Sequence, residues 1–183
     1  MKTQYFCASS LDGFIADQNN SLDWLLQFGD GTGEFYSSFI AQVGAIAMGS
    51  ITYDWVLDND TLKDPANPKP WPYKQTCWVF TNRSLRTLPD ADVRCVKGDV
   101  KPVYDEMRKV AADKNIWLAG GGGLVGQFYD AGLLDELIIG IAPVLLGSGA
   151  PLLPRRISKP PLKLISVEQF KDGMVQMHYE LVR

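Results

Sequence analysis

Four consecutive glycines, Gly120 to Gly123, constrain this 183-residue chain more than any other feature. An apolar run, Ile116 to Ala119, precedes them. Leu124-Val-Gly-Gln-Phe-Tyr-Asp-Ala131 follows and closes at Gly132, and a second apolar run, Leu137 to Pro143, leads into Leu145-Leu-Gly-Ser-Gly-Ala-Pro151. The order reads as strand, glycine turn, short helix, strand. Glycines have no side chain to pack and lose more conformational freedom on folding than other residues. A run of them is kept where φ must be positive or where backbone must come close to something. One glycine here would be a tight strand–helix connection. Four at the end of a buried strand present open N–H groups at the positive end of a helix dipole, which suits a phosphate or pyrophosphate.

Gly121, Gly123 and Gly126 also satisfy G-x-G-x-x-G. A Rossmann unit needs an acidic residue about 20 positions further on to hold the ribose. That region is Ile141-Ala-Pro-Val144 and has no acid. Too little chain follows for a second mononucleotide half. The Rossmann fold is rejected and the nucleotide-binding turn is kept.

The length fits one domain, residues 1–183, and 46% hydrophobic residues promise a substantial core. A net charge of −3 without a basic block argues against nucleic acid as a partner. No apolar run approaches the roughly 20 residues of a membrane span, and no secretory leader is evident at the N-terminus. Cys7, Cys77 and Cys95 are odd in number and far apart, as expected of reduced thiols in a cytoplasmic protein. A single histidine, His178, and no metal-ligand spacing argue against a metal site.

Residues 3–9 read as a first strand, and Asp12-Gly13 as a turn returning to the apolar Phe14-Ile-Ala16. Leu22 to Leu26 is a short apolar cluster. Thr32 is a candidate helix cap, and Phe35, Phe39, Ile40 and Val43 have helical spacing within 34–44. Ala45 to Met48 reads as a buried strand with a short helix from Ile51 to Leu57. Residues 58–74, with Pro65, Pro68, Pro70 and Pro72, read as a long loop. Strands are expected at 76–81 and 93–96, and a helix at 101–113 with Pro102 in its first turn. This alternation predicts an α/β domain with a mostly parallel sheet. Residues 162–170 and 174–182 alternate around Lys171-Asp-Gly173 and predict an antiparallel C-terminal hairpin.

Ligands of open α/β sheets bind at the carboxyl ends of strands. Four such ends are polar or glycine-rich: Gly49-Ser50-Ile-Thr52, Thr81-Asn82-Arg83, Lys97-Gly-Asp99 and Gly120 to Gly123. They offer hydroxyls, backbone N–H groups and two cations to an extended, phosphate-bearing cofactor. Arg83 and Lys97 suit a 2′-phosphate, although either alone is equally a solvated surface residue.

On these segments the chain resembles the dihydrofolate reductase-like superfamily, and within it the reductase domain of bifunctional riboflavin-biosynthesis deaminase–reductases. The carrying residues are Ser10-Leu-Asp-Gly-Phe-Ile-Ala16, Met48-Gly-Ser-Ile-Thr52, Val79-Phe-Thr-Asn-Arg83, Gly120-Gly-Gly-Gly-Leu-Val-Gly-Gln-Phe128, and Gly132 through Gly149. The resemblance implies an eight-stranded, mainly parallel sheet flanked by helices, with NADPH across the strand ends and Leu124 and Val125 beside the glycine turn. It implies a cis Gly–Gly bond, placed at Gly121–Gly122 by counting back from Gln127-Phe128. It also implies a homodimer. Dihydrofolate reductases carry a pterin-gripping carboxylate early in the first long helix. The matching position here is Gly33, with Glu34 about 100° round the helix.

A reductase of this kind would place the nicotinamide near Ala8, Ile15 and Ala16. The small-molecule substrate would lie between the Asp12 loop, Trp24 and the Glu34 helix, with Phe35 and Tyr36 as walls. Asp12, Glu34, Tyr36 or water could deliver the proton, but Asp12 is better read as a carboxylate that fixes its own turn by accepting backbone N–H bonds. Ser148, with Arg155 and Arg156, could meet a substrate phosphate, but each is at least as readily a surface residue. Three readings stay open: an NADPH-dependent reductase of a pterin- or pyrimidine-like molecule, the riboflavin-pathway 5-amino-6-(5-phosphoribosylamino)uracil reductase, and a non-catalytic nucleotide-binding protein on the same fold.

Overall fold

The computed structural model describes residues 1–29, 33–86 and 88–182, with the side chain of Glu34 also outside the described set. Eight strands form the central sheet: β1 (Thr3–Ser10), β3 (Val43–Gly49), β4 (Thr76–Phe80), β5 (Val93–Val96), β6 (Asn115–Gly120), β7 (Glu136–Ala142), β9 (Lys163–Gln169) and β10 (Val175–Glu180). Their order is β5-β4-β3-β6-β1-β7-β10-β9. The six from β5 to β7 run parallel, and β10 and β9 close the sheet antiparallel. Strand–helix alternation forces the first arrangement, because a parallel partner needs a crossover. The short turn at 171–173 forces the second. β2 (Phe14–Ala16) pairs separately with β8 (Ala150–Pro151).

Both faces of the parallel strands are covered, so these strands read as nearly continuous apolar runs. Tyr5, Ala45, Ala47, Trp78, Ile116 and Leu118 face α4 (Val100–Ala111) and α5 (Gly122–Asp130) through Met107, Val125 and Phe128. Alternate residues Phe6, Ile46, Met48, Val79 and Trp117 face α2 (Gly33–Ala41) and α3 (Ser50–Val56) through Phe35, Phe39 and Tyr53. Each large apolar side chain fully buried in these layers contributes about 1.5–3 kcal/mol, and the partly buried Phe6 and Phe35 less.

Two local expectations change, and one lies outside the described residues. α2 stops at Ala41, because Gln42 already accepts a sheet bond from Asn115 N (2.8 Å). The Thr32 cap falls outside the described residues. The polar stretch after α3 does not begin as loop: it continues as a π-helical turn, Leu57–Thr61, with Leu62 N donating to Leu57 O at 2.7 Å, while Asp58 pairs with Arg86 at 2.8 Å. The proline segment then turns aromatics inward. Trp71 lies 5.4 Å from Tyr53, and Tyr73 lies 5.5 Å from Trp117. Prolines on both sides preset extended backbone, which puts residues two apart on one side.

One topological fact positions the site. β3 and β6 are neighbours, yet the chain leaves β3 toward β4 and leaves β6 through α5 toward β7, beyond β1. Connections that diverge from adjacent parallel strands open a crevice at their carboxyl ends.

Candidate functional site

A cleft of about 750 Å³ occupies that crevice. Two helices begin on it side by side. α3 starts after Gly49 and α5 after Gly121, and neither has a side-chain cap. Their first-turn N–H groups therefore remain available to a ligand. A Cβ built on Gly49 would lie 3.8 Å from Gly121 N, so the two starts nearly touch.

The four glycines separate by cause. Gly120 has φ +132°, where side chains are rarely tolerated. Gly122 packs against the segment after β8, and a Cβ there would sit 2.4 Å from the carbonyl oxygens of both Pro151 and Leu152. Gly121 and Gly123 have room: the nearest atom to a Gly121 Cβ is Ile15 Cδ1 at 3.8 Å, and Gly123 meets nothing. The cis bond is Gly120–Gly121, not Gly121–Gly122 as counted from the helix, because β6 runs through Gly120 and the turn begins one residue earlier.

Of the residues expected to bind a cofactor, Ala8, Ile15, Ala16, Gly49, Ser50, Thr52, Gly120, Gly121, Gly122, Gly123 and Leu124 line this single cleft. Val125 instead packs into the core on the α4 side. Thr81, Asn82, Arg83 and Lys97 end strands farther along the same edge and do not line it. The Arg83 guanidinium is engaged by Asp54 at 2.8 Å, and Thr81 Oγ1 accepts from Arg83 N. No cation lines the cleft among the described residues. Any attraction for an anion there comes from the helix starts.

The expected substrate and proton-transfer residues are dispersed. Phe35 stacks on Phe6 at 5.8 Å, and Tyr36 meets Trp117 edge-on at 6.1 Å. Both reach the cleft only through Phe6 and Trp117, which do line it. Burial raises the Tyr36 hydroxyl above its ordinary pKa. Trp24 lies on α1 (Asp23–Leu26), half-buried, with its indole N–H enclosed and lacking a partner among the described residues. Ser148 accepts a hydrogen bond from Gln18. Arg155 pairs with Asp130 at 2.7 Å and lies over Gly126. The Glu34 side chain lies outside the described residues.

Asp12 is tied to the loop that follows β7. Its carboxylate accepts from the Ser10 hydroxyl (2.6 Å), from Leu146 N (3.1 Å) and from Gly147 N (2.7 Å). The Ser10 hydroxyl, then the two backbone donors, hold its pKa below the ordinary carboxylate value. A depressed folded-state pKa means this anchorage is complete above the unfolded value and is lost as pH falls through the lower folded one. Asp12→Ala is expected to speed amide hydrogen exchange at Leu146 and Gly147 at least tenfold. Unchanged exchange would show that the loop holds without the carboxylate.

Sequence reasoning missed several lining residues, among them Trp55, Tyr73, Gly140, Asp172, Met174 and Gln176. Gly140, alone in an otherwise apolar strand, was the one available signal. The hairpin residues alternate like any solvent-facing strand. Among the described residues no group of three His, Cys, Asp or Glu could hold a metal ion, and the three cysteines are free. No helix is long and apolar enough to cross a membrane among those residues.

Comparison with known proteins agrees with this architecture. The family model described as the RibD C-terminal domain matches residues 2–176. YwjB of Bacillus subtilis strain 168, itself uncharacterised, is 36% identical over 180 residues, covering 97% of each chain. A protein provisionally assigned to riboflavin biosynthesis from Shewanella sp. PV-4 superposes with a TM-score of 0.81 at 28% identity over 100% of both chains. Dihydrofolate reductase from Enterococcus faecalis shares the fold, with a TM-score of 0.62 at 16% identity over 98% of this chain and 95% of that one.

Proposed function

Since the chain belongs to the RibD C-terminal domain family, we propose that it is an NADPH-dependent reductase of a small pterin- or pyrimidine-like heterocycle. The observation that carries this reading is the pair of uncapped helix starts meeting at the glycine turn. Backbone N–H groups of Gly122 and Gly123 suit a pyrophosphate, and Gly121 and Gly123 leave room for its approach. Ala8, Ile15 and Ala16 offer small, apolar surface to a flat ring. When bound, the nicotinamide supplies the hydride.

The chain's own residues orient and shield. Phe6, Tyr73 and Trp117 form an apolar wall that excludes water, and Ser50 and Thr52 supply hydroxyls at the α3 start. Arg83 and Lys97, just after β4 and β5, would be the cations to hold a 2′-phosphate, and Arg83 would have to give up Asp54 to do so. Asp12, which its donors keep ionised, is assigned to positioning the 146–147 loop rather than to proton transfer. Tyr36, its pKa raised by burial, is assigned to packing.

Family membership favours a second reading, the riboflavin-pathway reductase acting on 5-amino-6-(5-phosphoribosylamino)uracil. A non-catalytic nucleotide-binding protein is the third. The deciding measurement is a titration of NADPH, with NADH as control, followed by tryptophan fluorescence; Trp55 and Trp117 both line the cleft. Saturable binding that favours NADPH is expected. No binding of either nucleotide at roughly millimolar concentration would overturn the reductase reading. Binding without turnover of any reducible heterocycle would leave the third.

We take the chain as one cytoplasmic domain forming a homodimer. β9 leaves Leu164, Ile165 and Val167 exposed at the sheet edge, a surface that a second copy would cover. Light scattering is expected to give twice the 20.3 kDa of one chain; 20.3 kDa itself would remove the dimer.

A further inference from the structure

Ala8 of β1, Gly140 of β7 and Gln176 of β10 are register partners and form one row across the sheet. All three line the cleft. The middle position of a buried strand is a costly place for glycine. The fold itself does not require it: a Cβ on Gly140 would meet nothing nearer than the flexible Met174 Cε at 3.4 Å. Ala8 and Gly140 together leave a flat, side-chain-poor floor, and the far side of that floor is polar. Gln176 is only 5% exposed, yet its carboxamide makes no hydrogen bond to the described residues and opens onto the cleft. Above it, at the hairpin turn, Asp172 Oδ1 accepts from Met174 N at 3.0 Å, while its second oxygen is left over. Asp172 is the only charged side chain lining the cleft among the described residues.

The cleft is therefore polarised. Helix starts that attract anions stand over β3 and β6. The carboxylate and carboxamide stand over β10, three strand spacings from β6, or roughly 14 Å away at about 4.8 Å per spacing.

We infer that Asp172 and Gln176 are the substrate-selecting wall of the cleft, and that they take an amino-substituted, lactam-type heterocycle without a phosphate. This inference rests on the reductase reading above and narrows its substrate. A carboxamide presents a donor and an acceptor in one plane, the complement of a ring N–H beside a ring C=O. The spare carboxylate oxygen accepts from an exocyclic amino group, and a charge-assisted bond of this kind is stronger than a neutral one. The same carboxylate repels a phosphate, and no lining cation offsets it. Arg155 does not line the cleft and is paired with Asp130 outside it.

The test uses 5,6-diaminouracil and its 5-amino-6-(5-phosphoribosylamino)uracil counterpart, which share one head group and differ in the phosphoribosyl arm. Each is titrated calorimetrically into the NADPH-loaded full chain, as wild type, Asp172→Asn and Gln176→Met. Asp172→Asn keeps an oxygen for Met174 N, and Gln176→Met keeps volume. Wild type is expected to bind diaminouracil at least tenfold more tightly than the phosphorylated form. Each variant is expected to lose at least tenfold for diaminouracil while its NADPH affinity stays within twofold and its melting temperature is retained. Tighter binding of the phosphorylated compound overturns the inference, as do variants that bind diaminouracil like wild type or a wild type that binds neither. A loss of NADPH affinity in the variants reassigns the pair to the cofactor and also overturns it. Failure of wild type to bind NADPH is a separate result that removes the cofactor reading itself.

Discussion

Gly123→Asp is expected to lower NADPH affinity about 100-fold while leaving the protein as stable as wild type or more so. The two effects have opposite signs for physical reasons. Gly123 is exposed in the first turn of α5, and a Cβ built there meets nothing within 4 Å. Replacing a helical glycine relieves a conformational cost of roughly 0.5–1 kcal/mol. A carboxylate near a helix N-terminus adds about 0.3–1 kcal/mol through the dipole. The same carboxylate occupies the field intended for a pyrophosphate. A 100-fold loss corresponds to about 2.7 kcal/mol, within reach of like charges brought together at a desolvated contact. Gly123→Ala is the control and should bind NADPH nearly as well as wild type. Thermal melting and fluorescence titration on the same samples separate the effects. Undiminished affinity in Gly123→Asp would move the pyrophosphate away from the glycine turn.

The neighbouring residue is expected to behave in the opposite way. Gly122→Ala adds a single methyl group, which would sit 2.4 Å from two backbone oxygens, those of Pro151 and Leu152. Neither can rotate away as a side-chain tip would. Tyr5 Oη donates to Leu152 O at 3.1 Å, and Leu152 N donates to Gly13 O at 2.9 Å, so the segment is tied on both sides. Overpacking against such backbone should cost about 3 kcal/mol. For a domain of this size that is a fall in melting temperature of roughly 6–12 °C. Pro151 also lines the cleft, so any NADPH affinity that survives should be lower as well. A melting temperature within about 2 °C of wild type would mean that the 151–152 segment yields freely.

These two glycines show how much was legible in the chain. The run of four announced a strand–helix turn approached closely by something, and the apolar run before it placed it after a buried strand. It could not reveal that protein backbone presses on Gly122 while Gly123 faces open space. The pressing carbonyls come from residues about 30 positions later, brought there by the pairing of β2 with β8. Asp12 is a similar case. The turn around it was readable, but two of its donors, Leu146 N and Gly147 N, come from the segment after β7, the strand that the fold places beside β1.

The sequence alone determined the features that depend on local chemistry. Continuous apolar runs, glycine and proline breaks, helical spacing, and alternation around the polar turn at 171–173 specify strands, crossovers and a final hairpin, because these signals repeat over a few residues whatever the rest of the chain does. Tertiary structure alone decided which strand ends share a cleft. β4 and β5 carry Arg83 and Lys97 away from it, and β10 brings Gln176 beside Gly140 and Ala8. That choice rests on strand order, which is set by long-range packing of two sheet faces against different helices and leaves no periodic trace near the residues it brings together.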